Sequence, residues 1–429
     1  MPSVYNKSKK PLLTRGKPAC KIQHRCQSCS HVNSPYDTSY QKKYQQALAG
    51  IQERVSLDAV EVLKPQESSR VFGYRTSVKL AIRKAFTPLQ RNRSSSYRPE
   101  PQSPRGRFEI GLFEPRSHRV VSIEECPVQH TQINRLVKET KYHLNKSDLT
   151  PYCEKTQTGD LRYLLIRMAH VSEEFMITFV ATNKSCYPAL RKLVKQLKIN
   201  YNITSSFLNT NSENTNRILG EQSKKIIGKE KLRETLCNFN LQISPQSFFQ
   251  VNPWVAQKIY HRVQQLVGHN TKTSASAWDL YSGVGIFSLI MAKAGYKVMG
   301  IEENPFASKD AYANAEENNM PARSLYFKDQ SVEDFFQETS QEALNEDMQK
   351  PDVIVVNPSR KGLSESVNNG LIAQKKANPD HRLIYISCEA DSLSKNLKTL
   401  TEGGYKLRQL ESFDMFPHTE KIEWIAVLD

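Results

Sequence analysis

The order of apolar runs in the C-terminal part of the chain constrains the fold more than any other feature. SAWDLY, YKVMGIE, SLYFKD, DVIVVN, RLIYISC, YKLRQLESF and IEWIAVL read as strands, and helical segments fall between the first five. Strands alternating with helices specify a parallel sheet covered on both faces. The last two runs have no helix between them and form an antiparallel hairpin. Ahead of the first run, Asn252-Pro253 caps a helix, NPWVAQKIYHRVQQLV, with Val255, Ile259, Val263 and Leu266 on one face. A doubly wound α/β domain therefore occupies residues 236–429.

Ligands of open α/β sheets bind beyond the carboxyl ends of the strands. In WDLYSGVGIFSLIMAKAG, Asp279 stands at the strand end, Gly283 and Gly285 in the turn, and Gly295 closes the helix. The next strand ends in Glu302, 23 residues after Asp279, where a carboxylate can hold both hydroxyls of a ribose. NAD fits that description, but the third glycine of a phosphate turn is missing and Asp279 would oppose a pyrophosphate. A cationic ligand such as S-adenosylmethionine suits the carboxylate better, and an antiparallel final hairpin is characteristic of methyltransferases using it.

Cys388 ends the run RLIYISC, and DVIVVNPSR precedes it. Adjacent parallel strands would bring both tips into one crevice, where a thiol meets a substrate as a nucleophile. Buried packing is the ordinary role of a cysteine, and it is the tip position that argues against it here.

The chain has 429 residues, of which 38% are hydrophobic, enough for two or three domains with proper cores. Residues 1–200 hold 35 Lys and Arg against 16 Asp and Glu, a balance of +19, while residues 201–429 hold 25 against 28, or −3. Such asymmetry is the footprint of a polyanion-binding region joined to a near-neutral catalytic one, with RNA or DNA as the leading partner. No apolar run is long enough to span a membrane, and the first residues lack the apolar stretch of a signal peptide. A cytoplasmic protein is therefore expected; no sequence feature sets the oligomeric state, and a monomer is the default expectation.

Eight cysteines in such a chain point to metal or catalysis rather than disulfides. Cys20, Cys26 and Cys29 are clustered and Cys126 lies apart; together they can complete a four-coordinate site, either an iron–sulfur cluster or structural zinc. Cys153, Cys186 and Cys237 have no partner spacing and are assigned to structure.

Residues 1–18 carry no acidic residue and read as a flexible basic tail. Residues 19–64 hold the cysteine cluster and a helix, SYQKKYQQALAGIQERV. From 65 to 235 the pattern is that of an α+β central domain. Its strands are RVFGYRTSVKLAIRKAF, RFEIGLFE, RVVSIEEC, LRYLLIRMAH and EFMITFVAT, and its helices are QHTQINRLVKETKYHL and YPALRKLVKQLKI. LQRNRSSSYRPEPQSPRGR, rich in Arg, Ser and Pro, cannot build a core and reads as an exposed loop.

Several separate motifs now coincide: SFFQVNP around Gln250, DLYSGVGIFS, GIEEN, VVNPSRKGL, IYISC and FDMFPHTEKIE. Together they resemble the RNA uracil-C5 methyltransferase family, over nearly the whole chain. The four cysteines without an N-terminal RNA-binding barrel, and Asn in NPSR, resemble its 23S rRNA subgroup. The resemblance implies a Rossmann-like S-adenosylmethionine methyltransferase sheet, an RNA-binding α+β central domain, and a [4Fe-4S] cluster held by Cys20, Cys26, Cys29 and Cys126. Gln250, Tyr281, Glu302 and Asn357 would contact S-adenosylmethionine. Cys388 would be the nucleophile and Glu423 the base, with Glu420 the neighbouring alternative.

That assignment agrees with the chemistry. Uracil C5 is too weak a nucleophile unaided, so a thiolate must add at C6, and a carboxylate must later remove the C5 proton. Arg360 could stabilise the enolate or lower the thiol pKa, and Tyr74, Arg75 and Lys79 are candidates to clamp the RNA. Ser359, Glu389, Lys395-Asn396 and Lys421 depart from the usual family pattern, which has Pro, Asn, Arg-Asp and His there. These positions line the family's uracil pocket.

Overall fold

The computed structural model describes residues 19–85, 108–215, 217–270, 275–321, 323–338 and 350–429. The expected basic tail and the Arg/Ser/Pro-rich stretch lie outside the described residues. The first elements are α1 (Gln23–Cys26), α2 (Tyr36–Gln52) and β1 (Glu61–Val62). The central part contributes β2 (Ser77–Lys84), β3 (Phe108–Phe113), β4 (Val120–Ser122), α3 (Thr131–Asn145), β5 (Leu161–Met168), β6 (Phe175–Ala181), α4 (Tyr187–Leu197), β7 (Ile203–Thr210) and β8 (Gln222–Gly228). A hairpin, β9 (Leu232–Leu236) and β10 (Phe239–Ile243), leads to α5 (Pro253–Val267). The remainder is β11 (Ser276–Leu280), α6 (Ile286–Lys293), β12 (Lys297–Glu302), α7 (Pro305–Glu317), β13 (Leu325–Asp329), α8 (Val332–Glu338), β14 (Val353–Val356), α9 (Glu365–Ala377), β15 (Arg382–Ser387), α10 (Ala390–Glu402), β16 (Leu407–Phe413) and β17 (Glu423–Leu428).

The C-terminal strands make one sheet in the order β1-β16-β17-β15-β14-β11-β12-β13. Strands β11 to β15 pair in parallel, and β17 inserts antiparallel between β15 and β16. This is the Rossmann-like methyltransferase sheet with its reversed hairpin. Its central strands read as unbroken apolar runs because both faces are covered: Ala277 packs into one core with α5 and α6, and its neighbour Trp278 into the other. Asn252 caps α5 by accepting from the Val255 amide at 3.4 Å.

Helix α2 belongs to this sheet and not to a separate N-terminal unit. Tyr40, Tyr44 and Ile51 are buried in the second core, where Tyr44 stacks on Trp424 at a centroid distance of 5.9 Å. The short β1 then adds to the sheet edge, parallel to β16.

The central sheet has the order β4-β3-β2-β5-β6-β7-β8. Val78, Leu80 and Ile82 point into a core shared with α3 and α4, which leaves Lys79 on the opposite face. The central sheet differs from the sequence pattern at residues 70–76 and at its last two strands, β7 and β8. Residues 70–76 are irregular rather than strand, because Gly73 adopts φ +61° and the chain then bridges at Arg75 to Gln129. Strand β7 is absent from the apolar pattern because Ser205, Ser206 and Asn209 are buried in it. Their side chains bond to the carbonyls of Lys231, Ile227 and Gly220. Among the described residues no helix is long and apolar enough to cross a membrane.

Candidate active site

Parallel pairing brings the carboxyl ends of β12, β11, β14 and β15 into one row. The registers Leu280 with Ile301, Leu280 with Val356, and Val356 with Tyr385 align the tips that carry Glu302, Tyr281, Asn357 and Cys388. The Asn357 amide continues the ladder by donating to the Leu280 carbonyl at 3.3 Å.

The glycine turn is built around two carboxylates. Asp279 is fully buried; one oxygen accepts from the Ser288 amide at 2.8 Å and its hydroxyl at 2.6 Å, while the other has no protein partner. Burial pushes its pKa up to about 7, against the Ser288 bonds. Glu302 accepts from the Gly283 amide and from the Asn304 amide, both at 2.8 Å. Burial raises its pKa as well, and each oxygen keeps lone-pair capacity for a ribose hydroxyl. Gly283 sits at φ +55°, and a Cβ there would meet nothing within 4 Å, so the turn faces open space at the sheet edge. Gly285, at φ +83°, packs so closely that a Cβ would come within 2.9 Å of the Ala311 Cβ. Tyr281 holds φ +64°, a left-handed conformation unusual for an aromatic residue, and its hydroxyl reaches Glu333 at 3.5 Å. An orphaned buried carboxylate oxygen, an open glycine turn and a second carboxylate fit a cationic nucleoside ligand.

Gln250 lies half-buried in the loop before α5. That loop is anchored at Ser247, whose hydroxyl donates to Asp310 at 2.6 Å. In the same motif, SFFQVNP, Phe248 is 64% exposed. Sequence reasoning passed over Asp329, which the register sets opposite Glu302; a carboxylate ending the third strand was the available signal.

Cys388 and Glu423 meet where β15 and β17 run antiparallel. Ser387 pairs with Trp424, so the next step of that register sets Cys388 opposite Glu423, and facing residues share one side of a sheet. Burial pushes the Cys388 thiol up to about 11, with the Glu423 carboxylate raising it further and Arg360 opposing. Burial pushes Glu423 up to about 8, again opposed by Arg360. Glu420, by contrast, is exposed to solvent while Glu423 is 3% exposed. Lys421 is ion-paired with Glu389, joining the loop after the thiol to the loop before the carboxylate.

Cys20, Cys26, Cys29 and Cys126 all line one cavity of about 380 Å³, which Arg360 and Lys421 also reach from the catalytic loops. Burial pushes Cys29 up to about 12, with Cys126 adding to the rise and Arg75 opposing it. Among the described residues no three His, Cys, Asp or Glu side chains converge closely enough to hold a single metal ion. Cys153, Cys186 and Cys237 stay apart from this cavity.

The expected RNA clamp divides. Tyr74 is fully buried and donates to the Pro417 carbonyl at 3.2 Å, so it braces a loop and cannot contact RNA. Arg75 turns toward the thiols. Lys79 alone remains at the surface, on the wall of a cleft of about 840 Å³ that also takes in Arg217, Gln246 and Asn304.

A parallel sheet with a reversed last pair and a glycine turn between two carboxylates define a methyltransferase sheet, and a thiol and a buried carboxylate lie together at its edge. The profile described as tRNA (Uracil-5-)-methyltransferase matches residues 105–429, and the chain belongs to that family. It is an S-adenosylmethionine-dependent RNA (uracil-5-)-methyltransferase. An uncharacterized RNA methyltransferase of Oceanobacillus iheyensis is 30% identical over 419 residues, covering 96% of this chain and 83% of that protein. Another from Staphylococcus epidermidis is 34% identical over 339 residues, covering 79% of this chain and 71% of that one. The crystal structure of Pyrococcus abyssi tRNA (uracil-54, C5)-methyltransferase in complex with S-adenosyl-L-homocysteine superposes with a TM-score of 0.68 at 24% identity. It covers 92% of this chain and 84% of the other. That likeness concerns the fold.

Proposed function

We propose that the protein methylates C5 of a uridine in 23S rRNA through a covalent adduct between Cys388 and uracil C6. The observation that supports the covalent chemistry is the placement of Cys388 opposite Glu423 at the edge that also bears the glycine turn, and the 23S target rests on the family resemblance of the four cysteines and NPSR. Gln250, Tyr281, Glu302 and Asn357 would hold S-adenosylmethionine, with Asp279 supporting the turn. When bound, S-adenosylmethionine supplies an electrophilic methyl group to uracil C5 and leaves as the neutral thioether.

The protein's part is to make C5 nucleophilic and then to restore aromaticity. The Cys388 thiolate adds to C6, and the C5=C6 pair moves onto O4 as an enolate. Arg360 lowers both the thiol and the carboxyl pKa, and the same cation favours enolate charge. After methylation Glu423 takes the C5 proton, the C5–H electrons reform C5=C6, and the C6–S bond breaks to return the thiolate. A folded RNA hides the pyrimidine edge, so the target must be unstacked to reach the thiol.

The four cavity thiols would hold a [4Fe-4S] cluster that braces the junction of the two domains; methyl transfer itself needs no electron. Zinc requires four sulfurs about 2.3 Å from one centre. The four thiols share the lining of one cavity, and it is the family resemblance that gives the cluster its iron–sulfur identity. A second substrate reading, the T-loop uridine of tRNA, is favoured by the family's description and by the uracil-54 enzyme that shares the fold.

Labelled S-adenosylmethionine, incubated with total RNA from cells lacking the gene, tests the reading. Label should enter one 23S rRNA uridine with the wild type and none with Cys388→Ala. Label in tRNA would move the substrate and keep the chemistry. Methylation by Cys388→Ala would overturn the covalent mechanism.

A further inference from the structure

The loop between β16 and β17, residues 414–422, delivers Glu423 to the site, and donors from outside it hold almost every turn of its backbone. Asn252 donates to the Met415 carbonyl at 3.0 Å, Tyr74 to Pro417 at 3.2 Å, and the His31 amide to His418 at 3.0 Å. The Lys43 ammonium donates to both Phe416, at 3.2 Å, and Lys421, at 2.9 Å. It also pairs with Asp414 at 2.5 Å, and Asp414 accepts from the Tyr36 hydroxyl at 2.8 Å.

This is an expensive arrangement to bury. The Lys43 side chain is 3% exposed and that of Asp414 is 0% exposed, and a buried ion pair contributes little net stability against an apolar replacement of the same volume. What such a pair supplies is one defined geometry. A lysine is suited to this task because its ammonium has three donors, and here all three are used, on one carboxylate and two carbonyls of the same loop. The two carbonyls are five residues apart, so fixing them fixes the loop's span. Lys421 O is two residues before Glu423.

We infer that Lys43, on a helix upstream of the segment matched by the family profile, is a positioning residue for the base Glu423. It sets the loop so that the carboxylate reaches C5 of the adduct. The inference rests on the covalent reading above, and it makes a distinct demand: Lys43 acts on the resolution of the adduct more than on its formation, because Cys388 directly follows β15 and the loop reaches its neighbourhood through the Lys421–Glu389 pair rather than through the carbonyls that Lys43 holds.

The test is a rapid-quench experiment on the full-length enzyme with its RNA and labelled S-adenosylmethionine, following the methylated protein–RNA adduct on denaturing gels. Lys43→Met alone leaves Asp414 buried and uncompensated, so the double variant Lys43→Met/Asp414→Asn is run beside it to remove both charges. Adduct formation should stay near the wild-type rate while release slows about tenfold or more, the scale of a displaced general base. Formation and release slowing together, or release unchanged in a folded double variant, would overturn the inference. An enzyme that forms no adduct even as wild type, yet methylates RNA, would instead remove the reading beneath it.

Discussion

The Lys421 ammonium is paired with the Glu389 carboxylate, so two residues that depart from the family's usual His and Asn are partners in space. They flank the chemistry: Glu389 follows Cys388, and Lys421 lies two residues before Glu423. Glu389 raises the Cys388 thiol pKa, and its lysine partner offsets that charge. Each substitution alone should therefore move the thiol in the opposite direction. Glu389→Asn should lower the alkylation pKa of Cys388 and Lys421→His should raise it, each by about half a pH unit for a partly exposed pair. Glu389→Asn/Lys421→His should fall near the wild type. The pH dependence of iodoacetamide labelling measures all three, and single shifts of the same sign would contradict the opposing charges.

Glu423→Gln should separate a catalytic cost from a stability gain. Glu423 ionises at about 8 in the folded protein because of burial, against an ordinary 4.5. Between those values the folded state holds a proton that the unfolded chain has lost. Stability therefore falls as pH rises through this window and is level above it. Glutamine carries no such penalty. The variant should melt near the wild type at about pH 4 and higher than the wild type at about pH 9. Turnover should drop about a hundredfold or more, with methylated adduct accumulating. Equal melting temperatures at both pH values would contradict the burial of an ionisable carboxyl at this position.

The catalytic edge was legible because parallel strands buried on both faces leave unbroken apolar runs, and the polar residue at each tip stands out. Glu302 and Cys388 stand out that way, whereas the role of Asn357 comes from the family resemblance. The exposure of Phe248 was not legible, because an exposed aromatic has the same letter as a buried one, and its neighbour Phe249 is buried. Tyr74 was misread for the same reason in reverse: its sequence context, beside Arg75, looks like a nucleic-acid clamp, and only the tertiary contact with Pro417 turns it inward. Lys43 was invisible within SYQKKYQQ, where a lysine on a polar helix predicts a solvated side chain. Its burial depends on Asp414, 371 residues away, and no local pattern encodes that pairing. Strand β7 was lost to its buried serines, which satisfy their hydroxyls on neighbouring strands rather than in water.

The four-thiol cavity yields the last prediction. Protein purified without oxygen should carry iron and sulfide and absorb in the visible, whereas a zinc site would leave it colourless. Cys29→Ser should lose the colour and melt at least about 5 °C lower, since a structural metal contributes its binding energy to the folded state. Cys153→Ser should change neither property. Arg75 adds a discriminating case. It opposes the rise in the pKa of both Cys29 and Cys126, so it favours the thiolates that a metal requires. Its sequence context alone predicts that Arg75→Ala weakens RNA binding without changing cofactor affinity. From its place in the cavity, Arg75→Ala should also retain less iron, and the cofactor affinity at the glycine turn should be unchanged. Iron content measured beside RNA binding decides between the two: full iron with weak RNA binding would restore the clamp, and loss of both would place Arg75 in the support of the metal site.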